Sequence, residues 1–371
     1  MNRENLRTVY LVVRRPILKI AFRFVRAGNR RLRLDHGKVG KILIICQPRL
    51  GDNVLSQPAL GALRSWYDKA ELVGLCNKYV REFLLETGVV DRAVLDPGRG
   101  LRSFLGTIRR LRQERFDLTV DFTTDFTLRP ALIAFFSNSK HTVGFDTQGR
   151  GVLFDNFVRP VGRIGHKAVE LWGIVESLGV TIPSTVPALK ASDRICKEVE
   201  AFFQKENIGR NDVVIALQPS GHYPTQRWPA RNFAALADLL SRKAKVVLLA
   251  ADADGKRAHE IGELMRSEPR IYHSESLGTL MAFLKRCTVF VCNNSGTLHL
   301  AAALGVPTVS TMGPTIPERW WPLGDRNIVV RKNLPCMPCN SGICRIKTHD
   351  CMNLISVDDM LGAVGKAVQL R

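Results

Sequence analysis

The 371-residue sequence contains no run of 18 apolar residues. A transmembrane helix needs about 20 such residues, so none is predicted. Val9–Val13 is too short for the apolar core of a secretory signal peptide, and Arg14 ends it. We therefore expect a cytoplasmic protein in a reducing compartment.

The signature motifs of several enzyme classes are also missing. The chain has no G-x-x-x-x-G-K-[ST] loop, no G-x-G-x-x-G that opens a helix after a strand, and no G-x-S-x-G turn. These absences weaken assignment to the P-loop enzymes, the dehydrogenases and the α/β-hydrolases. Aromatic residues make up only 7% of the chain. Since no nucleic-acid recognition motif is present either, we expect no nucleic-acid partner.

Positive charge is abundant and unevenly distributed. The net charge is +20, and residues 1–38 contribute eleven Lys and Arg side chains against two acidic ones. Within residues 6–26, apolar side chains recur at three- and four-residue steps opposite a basic stripe, which predicts an amphipathic helix. Residues 1–33 are therefore predicted to bind an anionic membrane surface. The alternative is that the apolar stripe packs on the protein itself or on a partner chain.

From residue 40 onward, short apolar runs typical of buried strands alternate with helical patterns. This alternation predicts parallel sheets. Residues 180–212 show little strand pattern, and the alternation restarts after them. We predict an α/β protein with two Rossmann-like parallel-sheet domains, divided as residues 1–38 (basic segment), 39–185 (first domain), 186–356 (second domain) and 357–371 (C-terminal helix).

Ligands of open parallel sheets bind beyond the carboxyl ends of the strands. This rule selects the loops at residues 47–53, 218–228, 251–255 and 293–297. In the first loop, Asp52 follows Gly51 where a strand gives way to a helix expected to begin near Asn53. Asp52 is either the N-cap of that helix or a general base.

The loop at residues 293–297 leads into a helix expected to begin near Thr297. Its free backbone N–H groups and the helix dipole would suit a phosphate, with Gly296 leaving room for it. The alternative is an ordinary capped helix. In the loop at 218–228, Ser220 and Arg227 are candidate oxyanion and phosphate ligands. Asp252 is either a ribose ligand or a solvated turn residue.

Four cysteines near the C-terminus form a C-x₂-C-x₄-C-x₆-C pattern, namely Cys336, Cys339, Cys344 and Cys351. This spacing favours a structural zinc site with four thiolate ligands. The alternatives are an iron–sulfur cluster, free thiols or two disulfides.

Four segments, quoted in order, resemble the lipopolysaccharide heptosyltransferase family, glycosyltransferase family 9: "KILIICQPRLGDNVLSQPALGALRSWY", "FDLTVDF", "QPSGHYPTQRWPARNFAALADLL" and "NNSGTLHLAAALGVPTVSTMGPTIPERWWP". The resemblance runs from Lys41 to Met352. It implies a GT-B fold, in which two Rossmann-like domains flank a cleft. It also implies inverting, metal-independent transfer of heptose from ADP-heptose to the lipopolysaccharide inner core. The membrane binding predicted for residues 1–33 would place the protein at the inner face of the inner membrane.

The resemblance also assigns roles to residues. The family's catalytic base falls on Asp52, on the acceptor side with Arg49, Gly51 and Asn53. The family's donor-diphosphate turn falls on residues 294–299. With the candidates from the other loops, the predicted donor site comprises Ser220, Gln226, Arg227, Asp252, Asn294, Ser295, Gly296, Thr297, Leu298 and His299. The chain departs from the family pattern at two of these positions, because Gln226 stands where Lys is frequent and Asn294 where Asp is usual. These departures leave open a different nucleotide-sugar, or a non-catalytic protein that binds nucleotide-sugars.

Overall fold

The computed structural model describes Pro16, Leu18 and residues 34–98, 100–162, 165–184, 189, 193–251 and 255–369. The amphipathic helix predicted within residues 6–26 thus lies, apart from two residues, outside the described part. The chain divides into two compact units, Met1–Thr185 and Val186–Arg371. Among the described residues, no helix combines the length and apolar character that crossing a bilayer requires.

The first unit contains a six-stranded parallel sheet in the order β3-β2-β1-β4-β5-β6. Its strands are β1 (Lys41–Ile45), β2 (Glu71–Cys76), β3 (Arg92–Leu95), β4 (Leu118–Asp121), β5 (His141–Phe145) and β6 (Asn156–Val158). Its helices are α1 (Leu50–Leu55), α2 (Gln57–Trp66), α3 (Lys78–Thr87), α4 (Leu101–Glu114), α5 (Arg129–Phe136) and α6 (Lys167–Glu176). The central strand β1 is buried from Ile42 to Ile45, as expected for a parallel strand covered on both faces.

The second unit repeats this topology, with the strand order β12-β11-β10-β7-β8-β9. Its strands are β7 (Val214–Gln218), β8 (Lys245–Ala251), β9 (Ile271–Ser274), β10 (Val289–Asn293), β11 (Thr308–Thr311) and β12 (Asn327–Val330). Its helices are α7 (Asp193–Lys205), α8 (Ala230–Leu240), α9 (Gly255–Leu264), α10 (Leu277–Arg286), α11 (Gly296–Ala303), α12 (Pro317–Trp320), α13 (Asp350–Asn353) and α14 (Val357–Gln369). The C-terminal helix α14 belongs to the core of this unit through Met360, Val364 and Ala367.

The two predicted parallel α/β sheets are confirmed, and the segment at 180–212, where the sequence shows little strand pattern, contains a helix that was not predicted. Helix α7 lies within it, and Ile195, Val199 and Phe203 are buried along one side at four-residue spacing. Helix α1 begins at Leu50, three residues earlier than expected. Three short edge strands (β6, β9 and β12) were not predicted, because three or four residues carry little periodic signal.

Candidate active site

In both sheets the first three strands of the unit are added toward one edge and the last three toward the other, so the order switches between the first and fourth strands. These pairs are β1 with β4 in the first unit and β7 with β10 in the second. A crevice forms at such a switch point because the connecting helices leave it on opposite faces of the sheet. The loops after β1 and β4, and those after β7 and β10, are therefore the ones placed to hold ligands.

Asp52 lies in the loop and helix that follow β1. The N-cap of α1 is Arg49, and Asp52 is the third residue of the helix, so the expectation that Asp52 caps the helix is wrong. Asp52 is 8% exposed and stands in the first turn of α1.

Neighbouring residues hold this loop in place. Asn53 is buried, and its side-chain Nδ2 donates to the carbonyls of Gln47 (2.9 Å) and Arg49 (2.6 Å). Gly51 is buried, whereas the side chain of Arg49 is exposed. The structure thus gathers Arg49, Gly51, Asp52 and Asn53 at the switch point of the first unit.

A buried ion pair that sequence reasoning missed joins the end of β4 to the segment after β5. Arg150 and Asp121 are both fully buried, with 3.2 Å between Nη2 and Oδ2. Asp121 Oδ1 also accepts from the backbone N–H (2.8 Å) and hydroxyl (2.6 Å) of Thr123. Burial raises the pKa of Asp121 above its ordinary value, while the Arg150 charge opposes that rise. The only sign of this pair in the sequence is Arg150, which stands in a segment without a helical or strand pattern.

In the second unit, α11 begins directly at the end of β10. Ser295 is its N-cap, but the Ser295 side chain makes no capping hydrogen bond. Among the described residues, no hydrogen-bond partner exists for the buried Ser295 Oγ or for the neighbouring Asn294 Nδ2. An ordinary capped helix would use such groups internally. Together with the N–H groups of the first helical turn, they form a polar surface that can accept an oxyanion.

Asn293 is a residue of this site that sequence reasoning did not select. It is fully buried, and its Nδ2 donates to the carbonyls of Pro219 (2.8 Å) and Ser220 (3.0 Å). Its Oδ1 accepts from the backbone N–H of Trp228 (2.9 Å) and from the hydroxyl of Thr311 (2.8 Å). One side chain therefore joins the loop after β7 to the end of β10.

The loop after β7 supplies a cation. Arg227 Nε donates to the Gly221 carbonyl at 2.9 Å, and no carboxylate among the described residues forms an ion pair with Arg227. Gln226 is held within the protein, because its Nε2 donates to Thr315 Oγ1 at 3.1 Å and its Oε1 accepts from the Tyr223 N–H at 3.2 Å.

The other predicted donor residues differ in how they can reach a ligand. Ser220, Thr297 and His299 are each more than nine-tenths buried, and the Leu298 side chain is fully buried in the core. Any contact of Leu298 with a ligand would therefore use its backbone. Asp252 lies outside the described residues.

The four C-terminal cysteines line one cavity of about 250 Å³, together with Thr225, Pro314, Met337, Arg345, Ile346, His349 and Asp350. Burial and the neighbouring thiols raise the pKa of Cys351 to about 11. All four are free thiols, and the described residues hold no group of three or more His, Cys, Asp or Glu side chains placed for a metal ion. The residues thus share a cavity without forming a finished coordination site.

Hydrogen bonds connect this cysteine loop to the loop after β7. Thr225 Oγ1 donates to the Ser341 carbonyl, and the His349 ring contacts the Thr225 carbonyl, each at 2.7 Å. The backbone N–H of Asn340 also donates to the Pro314 carbonyl at 2.7 Å. The conformation of the cysteine loop is therefore coupled to that of residues 225–227.

Comparisons with known proteins agree with the resemblance seen in the sequence. The profile of glycosyltransferase family 9 (heptosyltransferase) matches residues 105–349. Lipopolysaccharide heptosyltransferase 2 of Salmonella typhimurium is 27% identical over 311 residues, spanning 78% of this chain and 88% of that protein.

Solved structures of the same family share the fold. The glycosyl transferase family 9 protein of Veillonella parvula aligns with a TM-score of 0.79 at 21% identity, covering 92% of this chain and 99% of its own. The E. coli ADP-heptose lipopolysaccharide heptosyltransferase II aligns with a TM-score of 0.75 at 21% identity, covering 89% and 99%.

Proposed function

Because the chain belongs to glycosyltransferase family 9 and has the two-domain GT-B fold of solved members, we propose that it transfers a heptose from ADP-heptose to the lipopolysaccharide inner core. The chain is a glycosyltransferase by family. The donor and acceptor are inferred from the names of its relatives, one a lipopolysaccharide heptosyltransferase and another an enzyme that uses ADP-heptose.

The assignment of the donor site rests on the groups at the amino-terminal end of α11. Buried Asn294 and Ser295 side-chain groups without partners among the described residues lie beside the N–H groups of the first helical turn. A diphosphate has the acceptor oxygens that these donors need. Arg227 adds a permanent positive charge. With these groups holding the leaving diphosphate, the transfer needs no catalytic metal ion.

Asp52 is proposed to act as the general base. Its carboxylate takes the proton from the acceptor hydroxyl while that oxygen bonds to the anomeric carbon of the donor. The bond from the anomeric carbon to the diphosphate oxygen breaks in the same step, and ADP leaves with the bonding electrons. Attack on the face opposite the leaving group inverts the anomeric configuration.

Gln226 and Asn294 bear on the identity of the donor. Gln226 bonds to Thr315 and Tyr223 and brings no charge, so Arg227 is the cation proposed to face the diphosphate. Asn294 is neutral, and its donor group Nδ2 has no hydrogen-bond partner among the described residues. These features suit an anionic nucleotide, and they fit nucleotide-sugars other than ADP-heptose as well.

The test is a donor panel read in two ways. Thermal stabilisation is measured with ADP-heptose, ADP-glucose, UDP-glucose and GDP-mannose, and release of the nucleoside diphosphate is measured with a delipidated lipopolysaccharide core acceptor. We expect ADP-heptose to give the largest stabilisation and acceptor-dependent ADP release. Turnover with another donor alone would replace the heptose assignment, and binding without any turnover would indicate a non-catalytic protein.

We further propose that residues 1–33 bind the anionic cytoplasmic surface of the inner membrane, where a lipid-linked acceptor would be held. Each Lys or Arg near such a surface contributes about 1 kcal/mol of binding free energy. The full-length protein should sediment with anionic vesicles, and less so at high salt. A version that starts at Lys38 should stay in the supernatant and retain activity on the delipidated acceptor. If it sediments equally well, or unfolds, the membrane role of the segment is wrong.

Cys336, Cys339, Cys344 and Cys351 are proposed to bind one structural zinc ion in their shared cavity. Four protein ligands would leave no position for substrate, so the metal would stabilise the loop and take no part in the reaction. Elemental analysis of protein purified without added metal should find about one zinc per chain. Iron in place of zinc would favour the cluster alternative, and no metal under reducing conditions would favour free thiols.

A further inference from the structure

A buried ion pair lies at the start of α6, in the first unit. The Nζ of Lys167 and the Oε1 of Glu170 are 2.9 Å apart, and their side chains are only 5% and 1% exposed. Taking two such charges out of water costs several kcal/mol per ion, so a buried pair rarely adds net stability. Its presence calls for another explanation.

The pair is connected to the loop that carries Asp52. Lys167 Nζ also donates to the hydroxyl of Thr124, in the loop after β4. The same hydroxyl accepts from Gln47 Nε2 at 3.1 Å, and Nε2 donates as well to the Phe122 carbonyl at 2.7 Å. The hydrogen bonds therefore run from the ion pair, through Thr124, to Gln47, two residues after the end of β1.

The connection continues through the backbone of Gln47. The Gln47 carbonyl accepts from Asn53 Nδ2 at 2.9 Å, and Asn53 is the neighbour of Asp52 in the first turn of α1. A change in the position of the Gln47 side chain would shift this carbonyl, and with it the start of the helix. Asp52 itself needs to be held to within a fraction of an ångström for proton abstraction.

The loop after β4 has a second support besides Lys167. Arg150 holds this loop from the other side through Asp121 Oδ2 (3.2 Å) and the Thr127 carbonyl (3.1 Å). Thr123 is fixed by Asp121 as well. Because Arg150 already fixes the loop, the role left for Lys167 is to orient the Thr124 hydroxyl that Gln47 bonds to.

We propose that the buried Lys167–Glu170 pair is a positioning device for the general base: it fixes Thr124 and Gln47 and so sets the orientation of Asp52. The inference rests on the proposed role of Asp52. Neither Lys167 nor Glu170 is a catalytic residue in this account, since each acts through other residues.

The experiment compares three lysine variants with the intact protein. Lys167→Met, which keeps the length but removes the charge, should lower kcat by about 10- to 100-fold and leave the KM for the donor unchanged. Lys167→Arg keeps the donors and should recover kcat to within about 5-fold of the intact protein. Lys41→Met is the matched control, because Lys41 pairs with Glu114 (2.5 Å) and Glu71 (3.1 Å) at the opposite end of β1. It should leave kcat unchanged.

A double variant separates positioning from general stability. If Lys167 acts through Asp52, adding Lys167→Met to Asp52→Asn should lower the residual rate no further. The proposal is overturned if Lys167→Met lowers the rate of Asp52→Asn as much as it lowers that of the intact protein. It is also overturned if Lys167→Met alone leaves kcat unchanged. Full activity of Asp52→Asn would instead refute the base assignment on which it rests. Should Lys167→Met fail to fold, Glu170→Gln takes its place in the same cycle, with the same expected non-additivity.

Discussion

The two switch points of this protein have the same strand order and opposite chemistry. In the first unit, the carboxylates at these positions are Asp52, in α1 after β1, and Asp121, the last residue of β4. In the second unit, the corresponding loops after β7 and β10 carry amides, hydroxyls and the cation Arg227. One place is suited to accept a proton and the other to bind an anion. The topology therefore decides where ligand-binding loops lie, and a few side chains decide what each loop can do.

The way in which the loops are held is similar in the two units. Asn53 ties the start of α1 to the end of β1, and Asn293 ties the end of β10 to the loop after β7. In each case a buried side-chain amide donates to backbone carbonyls of the adjoining loop. The two units thus share this way of holding a loop and differ in the side chains that the loops carry.

The largest effect is expected at the carboxylate that distinguishes the first unit. Asp52→Asn keeps the shape and removes the base, so kcat should fall by about two to four orders of magnitude. The affinity for the nucleotide should not change, because the donor is assigned to the second unit. The measurement is steady-state kinetics together with calorimetric binding of ADP. Normal turnover would show that Asp52 is not the base.

The amide that fixes the second unit is the next place to test. Asn293→Ala removes four hydrogen bonds from a fully buried site, and should lower the free energy of unfolding by about 2–4 kcal/mol. Nucleotide affinity should fall with it. Urea unfolding measures the loss. The control is Asn353→Ala, whose exposed Nδ2 bonds only to the Thr348 carbonyl among the described residues and which should change stability by less than about 0.5 kcal/mol.

A smaller change is expected where the anion is proposed to bind. Gly296→Val puts a branched side chain at the first residue of α11, and should weaken ADP binding by about tenfold, equivalent to about 1.4 kcal/mol. Gly362→Val in α14 is the control, because a Cβ at this exposed helical glycine meets nothing within 4 Å. Calorimetry compares the two variants. If both variants lose the same ADP affinity, or if neither loses any, the diphosphate does not bind at the start of α11.

The last comparison concerns the cysteine cavity, which has no counterpart among the described residues of the first unit. The pKa of Cys351 is about 11, so at pH 8 only about a thousandth of this thiol is the reactive thiolate. An unfolded cysteine, with a pKa of about 8.5, is about one quarter thiolate at that pH. In metal-free protein, Cys351 should therefore be alkylated at least about 100-fold more slowly in the folded state than in urea.

The sign of the pH dependence follows from the same shift. Because the folded pKa is raised, the reaction rate of Cys351 should keep rising from pH 8 to about pH 11, whereas that of the unfolded chain levels off near pH 9. Mass spectrometry of the labelled peptide follows both rates, and the exposed Cys336 reports access of the reagent. Equal rates in the folded and unfolded states would contradict the buried position of Cys351.

The sequence was sufficient for features that depend on local pattern. The apolar run of β1 and the Asn-Asn-Ser-Gly turn before α11 identify a buried strand and a helix start from neighbouring residues alone. The pattern of helix α7 is also visible in the sequence, at Ile195, Val199 and Phe203. The proline-containing stretch before it masks this signal.

Other features depend on contacts between distant residues. Asn293 bonds to residues 65 to 74 positions away, and Lys167 contacts Thr124 across 43 positions. No local pattern distinguishes these side chains from ordinary polar residues at the end of an element. The start of α1 is not predictable from the sequence for a different reason. Its N-cap, Arg49, makes no side-chain capping bond, so no capping signature marks the first residue of the helix.

The central claim is that the second unit holds the diphosphate of the donor at the start of α11 while the first unit supplies the base. A crystal structure of the Asp52→Asn variant with ADP tests it most directly. The account predicts phosphate oxygens within about 3 Å of the backbone nitrogens at Gly296 and Thr297, with Asn294 Nδ2 or Ser295 Oγ as a further donor. A diphosphate bound at the start of α1, beside residue 52, would contradict it.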